Sequence, residues 1–215
     1  SDIPGEELLN RFNVVKDEGL SLSKQLSDIS KNKLKGKVID SSGVEKSVID
    51  SLDSLGMDIP NEILMDTTQL KNYLSDKKVF EGTDISKDKS SQKVIRDVVD
   101  ILTENGAEAD KAHRVKRQID TMIDWKKKSF EGLSDTGKNF AKSVRRSIND
   151  SIREISPEYA RVNDELSSIF KVMEDFTDAI PKKIDLDSAT GAAAAGQELR
   201  KLLTNYSSRN NLRDS

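Results

Sequence analysis

The stretch whose reading decides the fold is YARVNDELSSIFKVMEDFTDAI, residues 159 to 180. Tyr159, Val162, Leu166, Ile169, Met173, Phe176 and Ile180 recur in alternating steps of three and four, which places them along one stripe of a helix. Burying each such side chain contributes roughly 1.5 to 3 kcal/mol, so the stripe is expected to be a helix-packing interface and not a water-facing surface. Two arrangements satisfy it. One is an antiparallel bundle within the chain, built from helices at 107 to 130, 134 to 155 and 157 to 180 joined by short turns. The other is a coiled-coil seam with the same stripe of a second copy.

Working upstream, Ser156-Pro157 combines an N-cap serine with proline at the first helical position, which opens the quoted helix. Phe140, Val144, Ile148 and Ile152 step by four and define the helix before it, with Ser134 as its expected cap. Ala112, Val115, Ile119 and Met122 do the same for a helix from about 107 to 130. Further back, Val94, Val98, Ile101 and Leu102 build a helix that stops at Asn105-Gly106, and Val44, Val48, Leu52 and Leu55 stripe a short one that Gly56 can end. At the start of the chain, Leu8, Phe12, Val15, Gly19, Leu22, Leu26 and Ile29 share one face of a helix that Gly19 weakens or bends. Between these lie ILMD at 63 to 66 and KVFEG at 78 to 82, whose length and apolar content predict a small two-stranded β-ribbon lying on a helix.

The fold class expected is therefore mainly α, with long amphipathic helices and one ribbon near 63 to 82. The chain divides into an N-terminal helical region at 1 to 105, a C-terminal bundle at 106 to 206 and a frayed tail at 207 to 215. The opening SDIPG reads as a boundary inside something longer.

Composition narrows the function classes. Hydrophobic residues make up 34% and charged residues 34% of the 215, with aromatics at 5%, which suits narrow apolar helix faces better than a thick sandwich core. The absence of cysteine excludes disulfides, thiolate metal sites and cysteine nucleophiles. His113 is the single histidine, which argues against histidine catalysis and multi-histidine metal centres, and its place at the edge of an apolar face predicts a surface or half-buried side chain. No apolar run is long enough to span a bilayer, and the N-terminus carries no charged-then-apolar leader pattern. DLDSATG at 185 to 191 starts like a calcium loop but has Thr190 at the glycine position and Gly196 where the twelfth, acidic, ligand belongs. GAAAAG at 191 to 196 lacks the Lys-Ser/Thr pair of a phosphate cradle. No cofactor is implied.

Charge is uneven. Residues 1 to 105 hold 15 Lys+Arg against 20 Asp+Glu, residues 106 to 153 hold 12 against 7, and residues 154 to 215 hold 8 against 11. The basic middle offers Arg114, Lys116, Arg117, Lys126, Lys127, Lys128, Arg145 and Arg146 as candidate phosphate contacts. Consecutive helical residues are about 100 degrees apart, so these cannot all share a face, and the alternative is a solvated surface with lysines near a helix C-terminus. The overall charge of -3 argues against general nucleic-acid binding.

From His113 onward the motifs follow an order: His-x-x-Lys-Arg-x-Ile-Asp-x-x-Ile-Asp at 113 to 124, Gly-Leu-Ser at 132 to 134, Val-Arg-x-Ser-Ile-Asn at 144 to 149, and Ser-Pro-Glu-Tyr-Ala-x-Val-Asn at 156 to 163. This order resembles a helical segment of large virion-associated proteins of tailed bacteriophages. The resemblance implies a non-enzymatic virion structural or internal protein, ejected alongside DNA in one version, with other virion proteins or its own copies as partners. It implies location in the virion, or otherwise the host cytoplasm, and transfers no catalytic residues. The alternative is a helical adaptor or inhibitor module that presents a helix face to a host or cellular protein.

Overall fold

A computed structural model describes residues 5–60, 63, 66–129 and 135–183. It is mainly helical, and the described residues form α1 (Gly5–Lys33), α2 (Ser42–Ser54), α3 (Thr67–Leu74), α4 (Lys89–Asn105), α5 (Ala109–Ser129), α6 (Asp135–Ile155) and α7 (Pro157–Lys183). They divide into two compact units, the described residues up to Ile29 with those from Glu158 onward, and those from Ser30 to Pro157. On either side of the boundary read at 105/106, α4 and α5 pack on each other inside the second unit. The end of the expected bundle, 184 to 206, and the tail at 207 to 215 lie outside the described residues.

In the first unit, Phe12, Leu22, Leu26 and Ile29 of α1 are buried, as their spacing requires. The helix runs through Gly19 without a break. A Cβ at Gly19 would stand 3.2 Å from Ile169 Cγ2, so this glycine is a point of close approach between α1 and α7 and not a hinge. On α7, Tyr159, Val162, Leu166, Phe170 and Met173 are buried, while Ile169 is half-buried and Val172 is 41% exposed. The buried seam therefore steps three, four, four, three. The average step is still 3.5 residues, but a strict three-four alternation would keep Ile169 on the seam and leave Phe170 beside it. The side chains of Phe176 and Ile180 lie outside the description.

The second unit is built around α6, which packs on α2, α4 and α5, while α3 covers α4. Its buried face carries Phe140, Ala141, Val144, Ile148 and Ile152. A short backbone clamp joins the connectors: Ile39 donates to the Ala107 carbonyl at 3.0 Å and Ala109 to the Lys37 carbonyl at 2.9 Å. Two positive-φ glycines end helices here, Gly56 at 86° after α2 and Gly106 at 64° after α4, a conformation in which a Cβ is strained.

The expected β-ribbon does not appear among the described residues, and Leu64 and Met65 of its first leg lie outside them. TTQLKNYL, the segment between its two legs, is α3, whose N-cap Asp66 accepts from the amides of Thr68 at 2.9 Å and Gln69 at 3.3 Å. The second leg, KVFEG, forms consecutive turns in which Val79, Glu81 and Thr83 donate to the carbonyls of Asp76, Lys78 and Phe80. Those bonds occupy the groups that a strand ladder needs. Phe80 is buried under Arg96, whose guanidinium sits 5.0 Å above the ring and donates to the Leu74 carbonyl at 2.8 Å. Gln92 of α4 closes the same loop through the carbonyls of Ile85 and Ser86.

A close helix approach in this unit is at Gly137 of α6, whose amide donates to Ser91 Oγ at 2.9 Å. A Cβ there would lie 3.0 Å from Ser91 Cα, on the backbone of α4. Gly137→Ala is therefore expected to destabilise the protein by about 1 to 2 kcal/mol, because overpacking exceeds the gain in helix propensity. A thermal melt would show a midpoint lower by several degrees; an unchanged or raised midpoint would contradict the close approach.

Candidate interaction sites

The candidate phosphate contacts separate by orientation. Lys116 and Arg145, expected at a basic surface, are buried at 3% and 5% exposure. Lys116 Nζ donates to Asn149 Oδ1, and Arg145 Nε donates to Asp120 Oδ1 at 2.7 Å, with its Nη2 3.4 Å from Asp120 Oδ2. The two pairs bridge α5 and α6 one turn apart on each helix. They are turned inward because residues at i and i+4 share a face, and on α5 that face carries Ala112 and Ile119 into the core.

Arg114, Arg117 and Arg146 remain exposed. The side chains of Lys126, Lys127 and Lys128 lie outside the description. A basic ridge that the sequence reading passed over runs along α6, where Lys138 and Lys142 precede Arg146 at four-residue intervals. The Lys142 ammonium is held below the usual lysine pKa, first by partial burial and then by the charges of Lys138 and Arg146, with Asp135 opposing. The ridge was legible as an i, i+4, i+8 pattern. His113, expected at the surface or half-buried, is 8% exposed and belongs to the buried face of α5.

A second feature lies in the same unit. The helices α2, α3, α4, α5 and α6 leave between them a cavity of about 200 Å³, lined by Val48, Leu70, Val99, Val115 and Ile148. Its polar lining includes Ser41, Glu45, Asp66 and Thr67. Ser41 Oγ lies 3.5 Å from Glu45 Oε1. Asp66 is fixed as the α3 cap, and the Thr67 carbonyl accepts from Thr103 Oγ1 at 3.3 Å. No lysine, arginine or histidine lines it among the described residues. Sequence patterning could not show this cavity, since α3 was read as part of a ribbon.

Among the described residues no group of His, Asp or Glu is arranged to hold a metal ion, and no helix is long and apolar enough to cross a membrane. No family model matches the chain, and neither the curated proteins nor the solved structures yield a match.

The buried α5–α6 pair makes a sharp prediction. Asp120→Ala leaves Arg145 buried without its carboxylate and is expected to cost about 3 to 5 kcal/mol, whereas Asp120→Leu with Arg145→Met together should recover most of that loss. Urea unfolding of the two variants measures it; equal losses would mean that the pair is not acting as a pair.

Proposed function

We propose that the protein is a non-enzymatic component of a tailed bacteriophage particle, structural or internal, acting through helix packing and contacts with other virion proteins or with its own copies. The observation that carries this reading is where the resemblance motifs fall. Lys116, Asp120, Arg145 and Asn149 join α5 to α6, and Ser156 and Tyr159 are buried at the start of α7. Motif residues used for packing fit a scaffold whose product is shape. They do not converge on a reacting group, as catalytic residues must.

Contact with packaged DNA is a secondary part of the proposal. It rests on Arg114, Arg117 and Arg146 with the Lys138–Lys142 ridge, and no longer on Lys116 or Arg145. Such contact would be weak and sequence-independent. The second reading, a helical adaptor or inhibitor that binds a host or cellular protein, is favoured by the apolar cavity, because such modules seat a partner's side chains in a groove.

Mass spectrometry of purified particles is expected to find the protein at fixed stoichiometry with the capsid and tail proteins. Its absence from particles, together with stoichiometric capture of one host protein, would favour the adaptor. Filter binding to duplex DNA should weaken steeply between about 50 and 200 mM salt, and Arg114→Ala with Arg117→Ala should flatten that dependence by a log-log slope of about 2. Salt-independent retention would remove DNA from the partners.

A further inference from the structure

The geometry points to the cavity between α2, α3, α4, α5 and α6 as the seat for one aromatic side chain of a partner polypeptide, flanked in that partner by lysine or arginine. This deepens the reading that the protein works through protein contacts and rests on it.

Size sets the first limit. A volume of about 200 Å³ is below the roughly 300 to 1,000 Å³ of cofactor and drug-sized sites. It is close to the roughly 150 Å³ of an apolar cavity that accepts a benzene ring. One ring fits, and a nucleotide or flavin does not. Chemistry sets the second. The floor of Val48, Leu70, Val99, Val115 and Ile148 has no polar side-chain atom, so it matches an apolar body that sheds water on entry.

Charge sets the third limit and selects the partner. Glu45 and Asp66 both belong to the lining, and no described cation balances them there. Phosphates and carboxylates are disfavoured beside two like charges, and an ammonium or guanidinium is favoured. Asp66 is held by the Thr68 and Gln69 amides that it caps, so its charge is positioned before a partner arrives. A ring inserted in the cavity accounts for only part of such a ligand. The basic groups that meet Glu45 and Asp66 must be carried on neighbouring residues, and a polypeptide presents an anchor and flanking charges together.

The test uses the full chain, labelled with nitrogen-15, and four probes: the capped tripeptides Lys-Trp-Lys, Glu-Trp-Glu and Lys-Ala-Lys, and tryptamine. Lys-Trp-Lys is expected to shift the amides of Val44, Val48, Leu70 and Val115, with an affinity roughly 5-fold or more above Glu-Trp-Glu. Lys-Ala-Lys should leave them unmoved. Ala112→Leu, which fills the cavity from α5, should abolish the Lys-Trp-Lys shifts while leaving the melting midpoint unchanged or higher. Asp66→Asn retains a capping side chain, and combined with Glu45→Gln it should erase the preference for the basic peptide. The proposal is overturned if Lys-Trp-Lys causes no localised shifts at millimolar concentration, or if its shifts persist in a folded Ala112→Leu protein. It is also overturned if tryptamine binds and the tripeptide does not, which would make the cavity a small-molecule site. None of these readouts depends on whether the protein is found in particles, so failure here and failure of the virion reading are separate results.

Discussion

The second unit depends on the ion pair between Asp120 of α5 and Arg145 of α6, with the Lys116–Asn149 hydrogen bond one turn away. Both partners of the pair are nine-tenths buried or nearly so, at 10% and 7% side-chain exposure. Removing a charge from water is costly, and the attraction between the partners offsets that cost only when the geometry is close. The pair thus contributes less to net stability than to register: a slide of α5 along α6 by one turn would strand two buried charges. Since α6 also packs on α2 and α4, fixing α5 against α6 fixes what surrounds them.

That register has consequences at the cavity. Ala112 and Val115 lie on α5 just before Lys116, and Ile148 lies on α6 just before Asn149. Their positions in the cavity wall follow from the same interhelical alignment. The other walls are set by different means. The Asp66 cap starts α3, the Arg96–Phe80 contact and the Gln92 bonds hold the turn region after it, and the Lys37–Ile39 clamp to Ala107–Ala109 closes the connectors. A hollow bounded by so many independent constraints keeps its shape, which is the condition for recognising an anchor side chain without reorganisation.

The first unit uses a simpler device. Gly19 lets α1 approach Ile169 of α7, and the buried seam on α7 takes in Phe170. A strictly supercoiled heptad would have Ile169 where Phe170 is buried. The chain thus needs no partner stripe to explain the burial of Tyr159, Val162, Leu166 and Met173, although an assembly can still cover Val14, Leu20 and Val172, which are exposed at 68%, 51% and 41%.

By itself the sequence determined the helical class, most of the helix limits and most of the buried faces, because apolar spacing, Ser156-Pro157 and Asn105-Gly106 act within a few residues of themselves. It could not decide the ribbon question at 63 to 82, where Phe80 lies under Arg96 from another helix and the local pattern fits either outcome. Nor could it tell which basic residues face water: Lys116 and Arg117 are neighbours in the chain, yet Lys116 lies on the buried face of α5 and meets Asn149, 33 residues away, while Arg117 is exposed. The cavity and its two carboxylates are likewise products of tertiary packing, since they join side chains from five helices and their connectors. Periodicity reports a face that must be buried; what buries it is settled only when distant segments meet.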